Sequence, residues 1–450
     1  MCTEPLLRNT EGALKPESVS TNQKRIAELA RANPAMAFTS LNQYLDEEWM
    51  RYAYERTRKD GAVGIDGQTG QDYAQNLEQN LRSLLDRLKS GRYQAPPVRR
   101  HYIDKPDGSK RGLGIPSFED KVAQRAIAML LEPIYEQDFR DSSYGFRPGR
   151  SAHQALLALR TGIMERRGRW VLEVDIRKYF DSIPFAQLRE TLSKRVKDGV
   201  VRRLIDKWLK AGVLEQGQVF YPDSGTPQGG VLSPLLSNAF LHDVLDVWFA
   251  REVQPRLRRP SQLIRFCDDF VMLFACQEDA QRVNAVLGKR LGKFGLQLHP
   301  DKTRLLDFRP RDSTHSKVEG ALSSTFAFLG FLHVWGKSRK NNWVVRQYTA
   351  KDRQARTFRV INETCRVMRH ESLPDQHRQL CWKLKGHYAY FGISGNSKQL
   401  GRLYNRVRRL WRKWLSRRSW TSTVSRRKLG AILDRFPLPA PKIVHCYTTP

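Results

Sequence analysis

Leu263-Ile264-Arg265-Phe266-Cys267-Asp268-Asp269-Phe270-Val271-Met272-Leu273-Phe274 consists of two apolar, β-prone runs around a polar tip. That pattern predicts a hairpin. The hairpin would push the carboxylates of Asp268 and Asp269 into one small volume, where like charges repel unless a cation sits between them. A third carboxylate has the same setting upstream: Asp175 ends the apolar strand Trp170-Val171-Leu172-Glu173-Val174. One Asp after one strand and an Asp pair on a hairpin suit nucleotidyl transfer with two magnesium ions. Taken singly, each Asp is an ordinary strand-end or turn residue.

Working outward, the flanking sequence alternates strands and helices. Helices are predicted over 41–58, 73–89, 119–136, 185–195, 200–210, 232–250 and 278–294. Strands are predicted over 98–103, 111–115 and 170–175, with shorter pairs in 296–308 and 326–335. The mixture predicts an α+β domain on an antiparallel sheet. Phe180 lies five residues after Asp175. A ring there could fill the space of a ribose 2′-hydroxyl, or be a core Phe. Gly225-Thr226-Pro227-Gln228-Gly229-Gly230-Val231-Leu232-Ser233-Pro234 lets backbone approach a ligand and offers the Gln228 amide. It also reads as a loop before a helix with Ser233 as N-cap. Lys105 and Arg111 flank the turn Asp107-Gly108 and could clasp a triphosphate, or form a solvated basic hairpin.

The bulk composition agrees with a polyanionic partner. The chain has 450 residues, a formal charge of +32, and 10 Trp, 15 Tyr and 20 Phe that could stack on bases. Six cysteines without CxxC spacing argue against a zinc finger and for reduced thiols. No stretch has the length and apolarity of a membrane span, so the cytoplasm, beside nucleic acid, is the expected location. From Lys351 to Pro450 there are 23 Lys and Arg against 5 Asp and Glu. Leu403, Val407, Leu410, Trp411, Trp414 and Leu415 line one helical face. Arg402, Arg406, Arg408, Arg409, Arg412 and Lys413 crowd the rest, a candidate RNA-binding surface.

Seven motifs in order give the chain a resemblance. They are Gly112-Leu113-Gly114-Ile115-Pro116, Tyr144–Ser151, Asp175–Asp181, Gly225–Pro234, Phe266–Phe270, His299-Pro300-Asp301-Lys302-Thr303 and Phe328-Leu329-Gly330-Phe331. The chain resembles the reverse transcriptase/maturase proteins of bacterial group II introns. The resemblance implies a right-hand polymerase of fingers, palm and helical thumb. It makes Asp175, Asp268 and Asp269 ligands of two Mg2+ ions, and Phe180 the sugar-selecting ring. It implies Lys105, Arg111, Gln228 and Lys302 as nucleotide contacts. Gly229, Gly230 and Phe328, Leu329, Gly330, Phe331 would meet primer and template. The implied partners are an RNA template, group II intron RNA, a DNA primer or target, and deoxynucleoside triphosphates. The expected division is a mobile segment 1–40, fingers and palm 41–345, thumb 346–420 and a basic, Pro-containing tail 421–450. The family usually has Tyr-Ala where Phe266-Cys267 stands, a change expected to alter primer contact or rate. No Cys/His-rich nuclease segment is recognisable, so target cleavage by this chain is not expected. A splicing-only maturase and a polymerase redeployed in repair or defence are the competing readings.

Overall fold

A computed structural model of the chain describes residues 17–104, 108, 110–165, 168–215, 217–221, 224–225, 229–310, 325–419 and 423–447. The chain forms two compact units, one of residues up to 155 with 170–305, the other of 156–169 with residues from 306 onward.

The first unit is organised by helix Phe118–Asp138. Ser117 opens it by accepting from the Asp120 amide. Its apolar residues run nearly all round, so it is wrapped on several sides. Helices Glu17–Ala32 and Glu47–Glu55 pack on it, and the Trp49 indole donates to the Ala126 carbonyl at 3.0 Å. The segment 1–40, expected to be mobile, therefore holds a docked helix from Glu17 on, while residues 1–16 lie outside the described residues. Val19, Ile26 and Ala30 recur on one face and are buried. Thr69 caps helix Gly70–Ala74 and Asp46 caps Glu47–Glu55. The Asp46 cap splits the longer helix expected over 41–58, and the one expected over 73–89 is broken at Gln75 and Asn76, between Gly70–Ala74 and Leu77–Ser90.

The central sheet has the order Ser261–Phe266, Asp269–Phe274, Trp170–Val174, Arg304–Asp307. The first three strands run antiparallel, with Phe266 opposite Asp269 and Val174 opposite Phe270. Helix Gln277–Gly292 covers one side, its Val283, Leu287 and Leu291 buried at helical spacing. A second sheet pairs Val98–Asp104 with Lys110–Ile115 and, in parallel, with Val213–Glu215. The helix expected over 232–250 is α-helical only through Leu241. Two π-helical stretches, His242–Val247 and Phe249–Val253, continue it. Such widened turns often mark functional positions.

The second unit pairs a sheet with helices. Strands Phe326–Phe328, Phe331–Lys337 and Trp343–Thr349 form an antiparallel sheet with the middle strand central. The turn residues Leu329 and Gly330 both have positive φ, +50° and +79°, which is why a Gly stands there. Helices Lys351–Val367, Leu373–Phe391, Ser397–Leu415 and Arg426–Arg435 follow. The stretch from 421, expected to be a tail, thus contains a helix, capped by Ser425 and anchored through Leu429. No helix among the described residues is long and apolar enough to cross a membrane.

Candidate active site

The hairpin forms where its sequence predicts, with a two-residue turn of Cys267 and Asp268. Cys267 adopts φ +60°. That conformation disfavours residues with a side chain by roughly 1–2 kcal/mol, so the surroundings must hold it. Arg265 is the holding residue, and it is fully buried. Its Nη1 donates to the Cys267 carbonyl at 3.0 Å and to Asn238 Oδ1 at 2.9 Å. Its Nε and Nη2 donate to the buried Asp246 carboxylate at 2.8 and 2.5 Å. Asp246 comes from the π-helical stretch. Asn238 Nδ2 donates to the Gly145 carbonyl at 2.7 Å. A Cβ on Gly145 would lie 2.5 Å from the Cys267 nitrogen, so only glycine lets the Tyr144–Ser151 loop lie against the turn.

Strand register then places the carboxylates. Val174 pairs with Phe270, so Asp175 leaves its strand beside the start of the neighbouring strand, where Asp269 stands. The backbone around Asp175 is pinned from outside the sheet. The His299 amide donates to its carbonyl at 2.8 Å, and Ile176 bridges Leu298. Lys302 Nζ lies 3.1 Å from Asp175 Oδ2. Burial pushes the Asp268 carboxyl above the usual range; the Asp175 charge adds to this and Arg111 pulls the other way. Asp269 is exposed at the strand start. These are hard oxygen donors at adjacent strand ends, the donor chemistry of a magnesium site. Among the described residues, however, no three such groups are already gathered into a metal cage. Asp175 has Lys302 as its cation instead.

Other expected residues fall differently. Lys105 and Gln228 lie outside the described residues. Arg111 stands on strand Lys110–Ile115, opposite Ile103. Phe180 is 8% exposed, belongs to the main core and packs edge-on against Tyr179 at 5.4 Å. The glycine loop is fitted at both ends. A Cβ on Gly225 would lie 2.8 Å from the Asp181 Cα, and one on Gly229, at φ +118°, 2.6 Å from the Gly114 carbonyl oxygen. Gly230 is buried. The helix after this loop is not capped by Ser233, which is its first residue. Leu232 occupies the N-cap with no side-chain cap. Instead Gln124 Oε1 accepts from the Val231 and Leu232 amides at 2.8 and 3.3 Å. Gln124 also donates to Asp120 at 3.0 Å, and Asp120 accepts from Trp208 Nε1 at 2.6 Å and from the Tyr93 hydroxyl.

The Cys267 thiol hydrogen-bonds to the neighbouring Asp268 carboxyl, which works against the upward push of burial. It is buried, with Ser237 Oγ 3.5 Å away. Phe266 is also buried, its ring 6.2 Å from that of Phe146.

In the second unit, Phe328, Leu329 and Phe331 are core residues, and the ring of Phe331 packs on Tyr390 and Phe391. The Tyr390 hydroxyl donates to the Leu329 carbonyl at 2.9 Å. Between the buried Leu329 and Phe331, Gly330 is half-buried. Helix Ser397–Leu415 buries Leu400, Leu403, Val407, Leu410, Trp411 and Leu415. Arg402, Arg406, Arg409 and Lys413 are exposed, whereas Arg408 and Arg412 are half-buried. Arg406, Arg409 and Lys413 line a cleft of about 490 Å³ with Arg359, Asn362 and Phe358.

The family described as reverse transcriptase (RNA-dependent DNA polymerase) matches residues 103–333. The chain belongs to that family. Among its relatives, Protein YkfC of Escherichia coli (strain K12) is 34% identical over 322 residues, 64% of this chain and 84% of that protein. Group II intron-encoded protein LtrA of Lactococcus lactis subsp. cremoris is 39% identical over 245 residues, 52% of this chain and 40% of that protein. Nuclear intron maturase 4, mitochondrial, of Arabidopsis thaliana is 28% identical over 195 residues, 43% of this chain and 23% of that protein. The chain thus aligns with well under half of LtrA and of this maturase.

Proposed function

We propose that this chain extends a DNA primer on an RNA template, with Asp175, Asp268 and Asp269 as the catalytic carboxylates. The observation that carries the reading is the register: Val174 opposite Phe270 and Phe266 opposite Asp269 bring the strand end before Asp175 next to the turn that holds Asp268 and Asp269. These residues would hold two Mg2+ ions, which lower the barrier by activating the primer 3′-hydroxyl and steadying the leaving pyrophosphate. The protein's own contribution is placement. Arg265 holds the turn, Lys302 holds Asp175, and Arg111 stands near Asp268 to meet the triphosphate with Lys105 and Gln228. The glycines at 229 and 230 would let template or sugar approach backbone. The turn around Gly330 would support the primer. The fingers, palm and thumb arrangement, and action in the cytoplasm, belong to the same reading.

The partners follow from chemistry and from the names of relatives. Group II intron RNA would be held by Arg402, Arg406, Arg409 and Lys413 on the exposed face of helix Ser397–Leu415, assisting splicing and mobility, as the intron-encoded and maturase relatives suggest. An intact carboxylate trio favours polymerisation over a splicing-only role.

Asp175→Asn and Asp268→Asn should each lower primer extension by roughly a thousandfold or more, about 4 kcal/mol in barrier. RNA affinity should stay nearly unchanged, because other residues meet phosphate. Extension assays with magnesium and filter binding test this, and substantial extension by either variant rejects the assignment. Phe180→Ala tests sugar selection. Ribonucleotide incorporation should rise in the variant while deoxynucleotide use persists; no rise leaves Phe180 as a core residue only.

A further inference from the structure

The helical unit contains a second basic cleft, of about 480 Å³, sharing no residue with the one beside Phe358. Arg160, Arg339, Arg346 and Lys398 line it with Tyr447 and Ser397, and none of its lining residues is acidic. Four cations around one hollow repel each other, a cost that a bound anion removes. Among the described residues none of the four takes part in an ion pair with a carboxylate. What holds them is of another kind. The Arg160 guanidinium lies 4.7 Å over the Tyr447 ring. Arg346 donates to the Tyr348 hydroxyl at 3.2 Å and to the Lys337 carbonyl. Arg160 Nε and the Tyr447 hydroxyl are buried without a hydrogen-bond partner among the described residues.

The backbone adds a second attraction for an anion. Helix Ser397–Leu415, 19 residues long, begins at this cleft. Its N-cap residue, Asn396, does not cap it. The Asn396 side chain is engaged elsewhere: Nδ2 donates to Thr349 Oγ1 and to the Phe391 carbonyl, each at 2.8 Å, and Oδ1 accepts from the Thr349 amide at 3.1 Å. The leading amides at Ser397 and Lys398 therefore carry the positive end of a long helix without a side-chain acceptor. Gly395, at φ +89°, is exposed just before them. A phosphate fits such a helix start. The hollow falls within the roughly 300–1,000 Å³ of sites that enclose whole small molecules, so it is roomier than a lone phosphate requires. Tyr447 supplies an aromatic face of the kind on which bases stack.

We propose that this cleft binds one nucleotide of a single-stranded polynucleotide, with its phosphate at the start of helix Ser397–Leu415 and its base toward Tyr447. The inference rests on the reading of the chain as a nucleic-acid enzyme, but it assigns a site outside the catalytic carboxylates. Ser397→Asp with Lys398→Glu is the discriminating variant. Acids in a helix's first turn favour the helix, so the fold should be kept while a phosphate is repelled. Binding of a fluorescein-labelled oligouridylate is read by anisotropy across a salt series. Affinity should fall about tenfold, and the slope of log affinity on log salt should shrink by roughly 1–2 units. The thermal midpoint should not drop, and the extension rate on a saturating primer–template should be unchanged. Unaltered affinity and slope in the folded variant would overturn the proposal. So would competition by inorganic phosphate as effective as that by unlabelled oligouridylate, since the cleft would then be a simple anion site. Loss of extension in the carboxylate variants bears only on the catalytic reading, so the two failures are distinguishable.

Discussion

The two units carry charge in opposite ways. In the first, the ionic groups that matter are buried and held by partners from distant segments: Arg265 on Asp246 and Asn238, Asp120 on Tyr93, Trp208 and Gln124. In the second, the cations of helix Ser397–Leu415 stand on an exposed face, backed by an apolar stripe. A buried charge is specified by its partner and fails as a unit when that partner goes. An exposed charge acts at a distance and is replaceable, because solvent and salt screen it. Placement of reacting groups thus depends on the first arrangement, and the grip on a long polyanion on the second.

The sharpest way to break this contrast is Arg265→Met. It strands the Asp246 carboxylate in the core and should cost roughly 3–5 kcal/mol of stability. Adding Asp246→Leu should recover much of that loss in urea denaturation, since a well-packed apolar pair can replace a buried ion pair. Extension should not recover with it, because the Cys267 carbonyl still lacks its donor and the turn at φ +60° is unsupported. Recovery of both would mean that the pair serves folding alone.

The next effect is a pH dependence. Burial raises the Asp120 carboxyl from 3.8 to about 6, against the hydrogen bonds from Tyr93, Trp208 and Gln124. The folded state then holds a proton that the unfolded chain has already lost. Stability is fullest below the unfolded value and falls as pH rises from about 4 to about 6, by about 3 kcal/mol. Asp120→Asn cannot ionise, so that fall should vanish, even though the amide is a poorer acceptor and lowers stability at every pH. Denaturation midpoints across that pH range check it, and a variant with the same fall would place the titrating group elsewhere.

What could be read from sequence follows the same division. The hairpin, Asp175 and the apolar stripe of the basic helix were legible because each depends on local periodicity, two for strands and 3.6 for the helix. Arg265 lies within the same hairpin, yet its role carries no periodic signal. Its cue is an Arg at an inward position of an apolar strand, and its meaning lies in Asp246, nineteen residues away. Ser233 is the local candidate for the cap after the glycine loop, but the acceptor for the last amides before the helix, Gln124, sits 107 residues from Val231. The π-helical turns left no periodic mark that distinguishes them from an α-helix. Phe328, Leu329 and Phe331 illustrate the converse: a motif recognised as functional whose side chains are committed to the core.

The smallest effect concerns the exposed face. Arg402, Arg406, Arg409 and Lys413 follow one another at helical spacing and are exposed, whereas Arg408 and Arg412 are half-buried and Arg408 lies over Tyr404 at 5.7 Å. Changing the four exposed residues to Gln removes charge with little loss of helix propensity. If each meets a phosphate, the slope of log RNA affinity on log salt should shrink by roughly 3–4 units. The paired change Arg408→Gln, Arg412→Gln should move the slope less than half as far and lower the thermal midpoint more per residue, because those stems cover apolar surface. Circular dichroism verifies that both proteins remain folded. Equal slopes for the two sets would show that exposure does not select the phosphate contacts, and the contrast between held and free charge would then fail on the side of the helix.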